Sequence, residues 1–375
     1  MEGTNHIEET SLLPPQKAGR LEWLDAMRGF TMILVVAYHV AEFSFAESEK
    51  VSASLPFLVL FRMPLFFFVS GFLAYKATWI WTPQSFASLT WKKLKVQVLP
   101  AVVFLCVFLV LKGRFPFFES LTKALQSPTK GGYWFTWVLL QMFLIYYVVA
   151  ATFQRWGKKV ENVAIVVLWV VMLLAYISLY LPRTLGKWYE TDVMMYSSFY
   201  ETLKFMHFFV LGNLVHRHWK GVQRLFDAGW FFPVLVVLAF FSCADIFKWH
   251  TLKMEWTNVP KTLAMYSLML IVVMFFRHYQ EHFTRKTHVG CGLQYIGVRT
   301  LDVYLLHFIL LPKLPEVGKW LDSHHPNFVV DIVLAVGVAL VVIAFCLLFS
   351  NILRMSPFLK ENLFGRKETL KSPKV

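Results

Sequence analysis

Residues 28–39 read RGFTMILVVAYH, an arginine and a histidine bracketing a run that is otherwise almost wholly apolar. Such a run belongs in lipid or in a protein core, and both end residues are costly in either place. On an α-helix, eleven positions at 100° each make about 1100°, three turns plus roughly 20°. Arg28 and His39 therefore share one face, about 16 Å apart along the axis. The stretch predicts a membrane helix whose polar stripe faces the bundle interior or a wet cavity.

The rest of the chain agrees with a membrane setting. It is 57% hydrophobic and 16% charged, with a mean hydropathy of +0.53, whereas a soluble domain carries about a quarter charged residues. Ten apolar blocks, at 27–46, 55–78, 96–112, 133–152, 160–181, 200–216, 230–248, 261–277, 298–313 and 327–353, each approach the ~20 residues a spanning helix needs. The expected fold is all-α, a polytopic integral membrane bundle of about ten transmembrane helices. Residues 1–20 read as a polar cytoplasmic tail, 21–355 as the membrane domain and 356–375 as a basic cytoplasmic tail. The ninth block is the weakest, because Arg299, Asp302 and His307 interrupt it. Arg299 and Asp302, at i and i+3, are spaced to neutralise each other.

The formal net charge of +14 does not point to nucleic acid, because Lys and Arg sit in the gaps between apolar blocks. Their distribution follows the positive-inside rule with both termini in the cytoplasm, and the first outside loop, EFSFAESEKVSAS, carries three glutamates and one lysine. The N-terminus lacks the basic start and apolar stretch of a signal peptide. Cys106, Cys243, Cys291 and Cys346 show no C-x-x-C spacing, so neither a disulfide framework nor a zinc site is expected. Nothing else has metal-ligand spacing, and GCGLQYIG follows a polar loop, not a strand, which argues against a nucleotide-binding loop.

The Arg28/His39 stripe admits two readings. In the plainer one, Arg28 anchors the helix at the interface beside Asp25 and His39 bonds a neighbouring helix. In the sharper one, a long molecule with an anionic head lies along the stripe, phosphates at Arg28 and reactive end at His39. A phosphopantetheine arm has about that length, and a neutral His39 can act as general base on an acceptor hydroxyl. Arg62, two residues before Pro64, is a second intramembrane cation, read as a donor contact or as a tie between helices. Glu42, one turn beyond His39, is read either as orienting its imidazole or holding the imidazolium, or as a residue of the outer loop. Ser70–Gly71 reads as a close helix contact. Trp134 and Trp137 suit an interfacial belt or a sugar platform, and Gln141 offers a neutral donor and acceptor to a substrate. Tyr304 and His307 lie one turn apart in the ninth block, for acceptor binding or bundle cohesion. His207 shows no readable partner.

The surrounding wording favours the sharper reading. LDAMRGFTMILVVAYHV followed by FRMPLFFFVSGFLAYK resembles membrane acyltransferase family three, whose first span carries R-x(10)-H, here Arg28 and His39. YWFTWVLLQMF and LDVYLLHFILLP resemble its later Trp-rich and I-Y-L-L-H segments. The resemblance implies ten spans in a bacterial cytoplasmic membrane. It also implies transfer of an acyl group, commonly acetyl from acetyl-coenzyme A, to a hydroxyl of a cell-surface or exported glycan. Acyl-coenzyme A would be a co-substrate and no cofactor is bound. Membrane lipid, the glycan acceptor and a separate extracytoplasmic protein are the implied partners. A glycan or lipid-linked-sugar transporter is the main rival, because buried Arg and His also mark transport paths; the halves of the chain do not look like the repeats common in transporters. An N-acyltransferase of the lysosomal glucosaminide type also fits LDAMRGFT, but not FRMPLFFF.

Overall fold

The computed structural model describes residues 21–47, 52, 54–178, 191–246, 258–323 and 327–364. The expected N-terminal tail, part of the first outside loop and the end of the basic tail lie outside the described residues. Every regular element among them is helical. In chain order these are α1 Glu22–His39, α2 Leu55–Ala74, α3 Pro83–Lys93, α4 Leu99–Leu111, α5 Phe117–Gln126 and α6 Trp134–Gln154. They continue as α7 Lys158–Ser178, α8 Asp192–Ser197, α9 Phe199–Arg217, α10 Trp219–Phe226, α11 Phe231–Ile246 and α12 Asn258–His278. The chain ends with α13 His288–Gly297, α14 Thr300–Leu310, α15 Pro315–Ser323, α16 Phe328–Leu353 and α17 Pro357–Phe364.

Among the described residues, seven helices are long and apolar enough to cross a membrane: Glu22–Ser44, Leu55–Ala74, Pro83–Leu111, Trp134–Gln154, Lys158–Ile177, Val259–His278 and Phe328–Leu353. The pair Trp219–Phe226 and Phe231–Ala244, bent by 78°, makes an eighth if counted as one span. Each of the ten expected blocks falls on a helix, yet three differ from simple spans. The helix at 200–216 carries Glu201, Lys204 and Arg217, which dilute its apolar character. The block at 230–248 is the second arm of the bent pair. The block at 298–313 yields only the 11 residues of α14, about 16 Å of rise against a hydrocarbon core of about 30 Å. Outward faces remain apolar: Val163, Val167, Val171 and Leu174 of α7, and Val333, Val341, Phe345 and Leu348 of α16, are all exposed. A water-soluble protein rarely shows so long an apolar belt.

Helix α1 runs through the centre, packed against α13, α16 and α2, and fourteen of its eighteen residues are buried. Its contact with α13 depends on paired glycines. A Cβ on Gly29 would run into the carbonyl of Leu293, and one on Gly297 into the carbonyl of Asp25. Helices α2 and α9 cross in the same way, Gly71 against Phe209 and Gly212 against Phe68, all at backbone. Without a hydrophobic drive between helices in lipid, such close approach lets dispersion contacts hold the bundle. Two glycines of the GCGLQYIG stretch thus serve close contacts, Gly297 against α1 and Gly290 under the carbonyl of Thr284, while Gly292 has open space around it.

Two departures from α-geometry shape the interior. Straight after His39, Val40–Ser44 forms a π-helical turn, a feature that often marks functional sites. Pro64 inside α2 withholds the donor that would bond the carbonyl of Leu60.

Candidate active site

A cavity of about 490 Å³ opens between α1, α2, α3, α6 and α14. Arg28 and His39 both line it, as do Arg62 and Met63 from α2, Trp134 and Phe135 from α6, and Thr300 and Tyr304 from α14. The stripe read from residues 28–39 is thus one wall of a real cavity.

Arg28 holds its guanidinium in place by two contacts, Nη2 to Thr300 Oγ1 at 3.0 Å and Nη1 to the buried carboxylate of Asp25 at 3.4 Å. The anchor pair with Asp25 and the cavity placement therefore coexist. Arg62 is buried, its guanidinium carbon 3.5 Å from the centre of the Tyr38 ring, an arrangement that favours a desolvated cation. The titratable groups facing His39 are His307 and Arg62.

His39 Nδ1 lies 2.9 Å from Nε2 of His307, the rings 5.0 Å apart and inclined by 17°. His307 is fully buried, and its Nδ1 sits 3.1 Å from the Val303 carbonyl and 2.8 Å from the Tyr304 carbonyl, both one turn back on α14. Phe308 and Phe43 close the other sides of the His39 ring, at 4.7 Å and 5.9 Å between centroids. Tyr304 accepts from the Phe135 amide at 3.2 Å and donates to the Gly132 carbonyl at 3.3 Å, tying α14 to the start of α6.

The remaining expected site residues fall elsewhere. Glu42 is half-buried in the π-helical turn, away from the cavity lining. The α-helical offset of one turn from His39 does not apply there, because π-helical bonding winds the chain more widely, and the His39 Nδ1 bond goes to His307. Gln141 also lies off the cavity. It donates to the Ser197 carbonyl at 2.6 Å and accepts from Thr202 at 2.8 Å, joining α6 to the α8–α9 corner. Trp134 lines the cavity and stacks on Phe205, while Trp137 does not line it. The Arg299–Asp302 pairing does not form. Asp302 accepts a two-pronged bond from Arg354, just past α16, Nη2 lying 2.8 Å from Oδ1 and Nε 3.1 Å from Oδ2, and Arg299 stacks on Tyr295 at 3.9 Å. Arg354 wins because its planar fork meets the carboxylate from outside α14, a two-pronged geometry that an i, i+3 neighbour on the same helix does not offer. His207 does have a partner, the Tyr266 hydroxyl at 2.7 Å.

Several cavity residues carry no signal in the sequence beyond helix-end charge. Lys76, Lys92, Lys93 and Lys158 gather at one end of it, with Trp79 and Trp81. Lys93 Nζ lies 3.6 Å from the Phe143 ring, and the charges facing it are Lys92, Arg28 and Lys76, all cations. The one carboxylate on the wall, Glu161, is taken by Arg217, which also bonds Asn213 at 2.7 Å and Asn162 at 2.8 Å. The cavity thus has a basic, aromatic mouth and a histidine further in, in line with the order Arg28 then His39 along α1.

This geometry suits a ligand with several negative charges at one end and a reactive group at the other. Neither the curated proteins nor the solved structures contain a significant match to the chain. The family model of the family 3 acyltransferase domain, in contrast, matches residues 21–351. The chain belongs to the acyltransferase 3 family.

Proposed function

We propose that the protein transfers an acyl group, acetyl in the simplest case, from acyl-coenzyme A to a hydroxyl of a cell-surface or exported glycan. The observation that supports this most is that Arg28 and His39 line one cavity that Lys76, Lys92, Lys93 and Lys158 also line. Phosphates of the donor would meet Lys76, Lys93 and Arg28, and the pantetheine arm would run inward along α1. The acceptor hydroxyl gives its proton to His39 Nε2 as its oxygen bonds the thioester carbonyl carbon. Arg62, desolvated beside that point, offers positive charge to the developing oxyanion. The carbon–sulfur bond then breaks, and the coenzyme thiolate takes the proton from the imidazolium. Trp134 and Tyr304 line the wall on the acceptor side. On this reading the chain crosses a bacterial cytoplasmic membrane with both termini inside, and α9, the bent pair and α14 complete the ten passes.

Donor binding is tested directly by titrating acetyl-coenzyme A into purified protein in nanodiscs. Losing a charge-assisted phosphate contact costs about tenfold or more in affinity. Arg28→Ala should therefore raise the dissociation constant at least about tenfold in protein that remains folded. Equal affinity in Arg28→Ala, or no binding by the wild type, would remove the donor assignment.

A further inference from the structure

We propose that His307 is a positioning residue: it holds His39 in the tautomer whose Nε2 is bare, so that the nitrogen free to take a proton is the one not bonded within the protein. This rests on the reading of His39 as the base. The argument is one of hydrogen-bond direction. A carbonyl oxygen can only accept, and His307 Nδ1 faces two of them, Val303 at 3.1 Å and Tyr304 at 2.8 Å. His307 Nδ1 therefore carries the hydrogen. A neutral imidazole has a single N–H, so His307 Nε2 is a lone pair. Opposite it, at 2.9 Å, stands His39 Nδ1. Two lone pairs cannot face each other at that separation, so His39 Nδ1 donates and its Nε2 is left without a hydrogen. Among the described residues nothing else bonds the His39 ring.

Direction passes one way along the chain, from the α14 backbone through His307 to His39. The reverse tautomer would place the His39 hydrogen on Nε2, where the ring could not accept a proton. When Nε2 receives the hydroxyl proton, the Nδ1–H bond to His307 becomes charge-assisted and stabilises the imidazolium. His307 takes no proton in this step: its own hydrogen stays between Nδ1 and the two carbonyls, and the transferred proton returns from His39 Nε2 to the leaving thiolate. A buried carboxylate performs the orienting task in many histidine-dependent sites; here a neutral ring does so, which avoids a buried negative charge near the thioester.

The test reads the tautomer itself. Protein labelled with ¹⁵N-histidine, in nanodiscs at neutral pH, gives distinct ring-nitrogen signals for the two tautomers, and the His39 pair is identified by its loss in His39→Gln. Wild type should show His39 protonated at Nδ1 and bare at Nε2. His307→Gln, whose amide oxygen can occupy the place of Nε2, should keep that pattern and retain glycan acylation within about tenfold. His307→Leu should give a mixture of tautomers and lose about 100-fold in acylation, the scale of a mispositioned base, with coenzyme A affinity unchanged. A wild-type spectrum with His39 protonated at Nε2 overturns the proposal with no variant needed. So does a folded His307→Leu protein whose His39 signals match wild type. Full acylation by His39→Gln would instead sink the base assignment and leave the tautomer result standing.

Discussion

Glu47, just past the π-helical turn that ends the first span, is a buried carboxyl near Ser52 and Asp331. Burial, reinforced by the Asp331 carboxylate, pushes it up from 4.5 to about 7. The folded state then keeps a proton that the unfolded chain releases, so this group's contribution is favourable below about pH 4.5 and is lost as pH rises towards 7. Glu47→Gln should raise the melting temperature at pH 8 by about 2 °C and leave it unchanged at pH 4.5. A scan of melting temperature against pH checks this, and an equal shift at both ends would refute it. At this scale the sequence is informative where helical spacing fixes the relation. Arg28 and His39 were legible because eleven residues on one helix decide their shared face. Their partners were not. His307 meets His39 across 268 residues, and Arg354 takes Asp302 from a turn that no local pattern links to it. The mouth lysines look like topology signals because interfacial charge and ligand-binding charge have the same residue types and positions.

Helix crossings set the next level. Gly71 and Gly212 let α2 and α9 touch at backbone, and Gly29 and Gly297 do the same for α1 and α13. Gly212→Ala should lower the melting temperature by about 2–4 °C, as overpacking by one methyl forces the helices apart. Gly337→Ala in α16, with open space around its Cβ, should be neutral or slightly stabilising. Thermal unfolding of the two variants beside wild type decides the matter, and equal behaviour would contradict the packing account. Small residues in FVSGFL announced a close contact, but which helix α9 or α2 meets depends on topology that single-sequence periodicity does not contain. The π-helical turn after His39 was likewise invisible, because its residues, VAEFS, have no composition that marks it.

For the whole molecule, composition alone established a helical membrane protein, and long apolar blocks located its helices. The number of crossings was harder to read, since a charged helix such as α9, a bent pair and an 11-residue helix all look like apolar blocks in one dimension. What the assembled bundle adds is a cavity whose wall carries four lysines, Arg28 and His39 together. The central claim is that His39 in this cavity performs acyl transfer to a glycan. Mass spectrometry of surface glycan from cells lacking the protein, resupplied with wild type or His39→Ala at equal membrane levels, tests it most directly. The account predicts that wild type restores the acyl mass increment and that His39→Ala restores less than about one part in 100, the scale of a lost general base. Acylation by folded His39→Ala at near wild-type extent would contradict it.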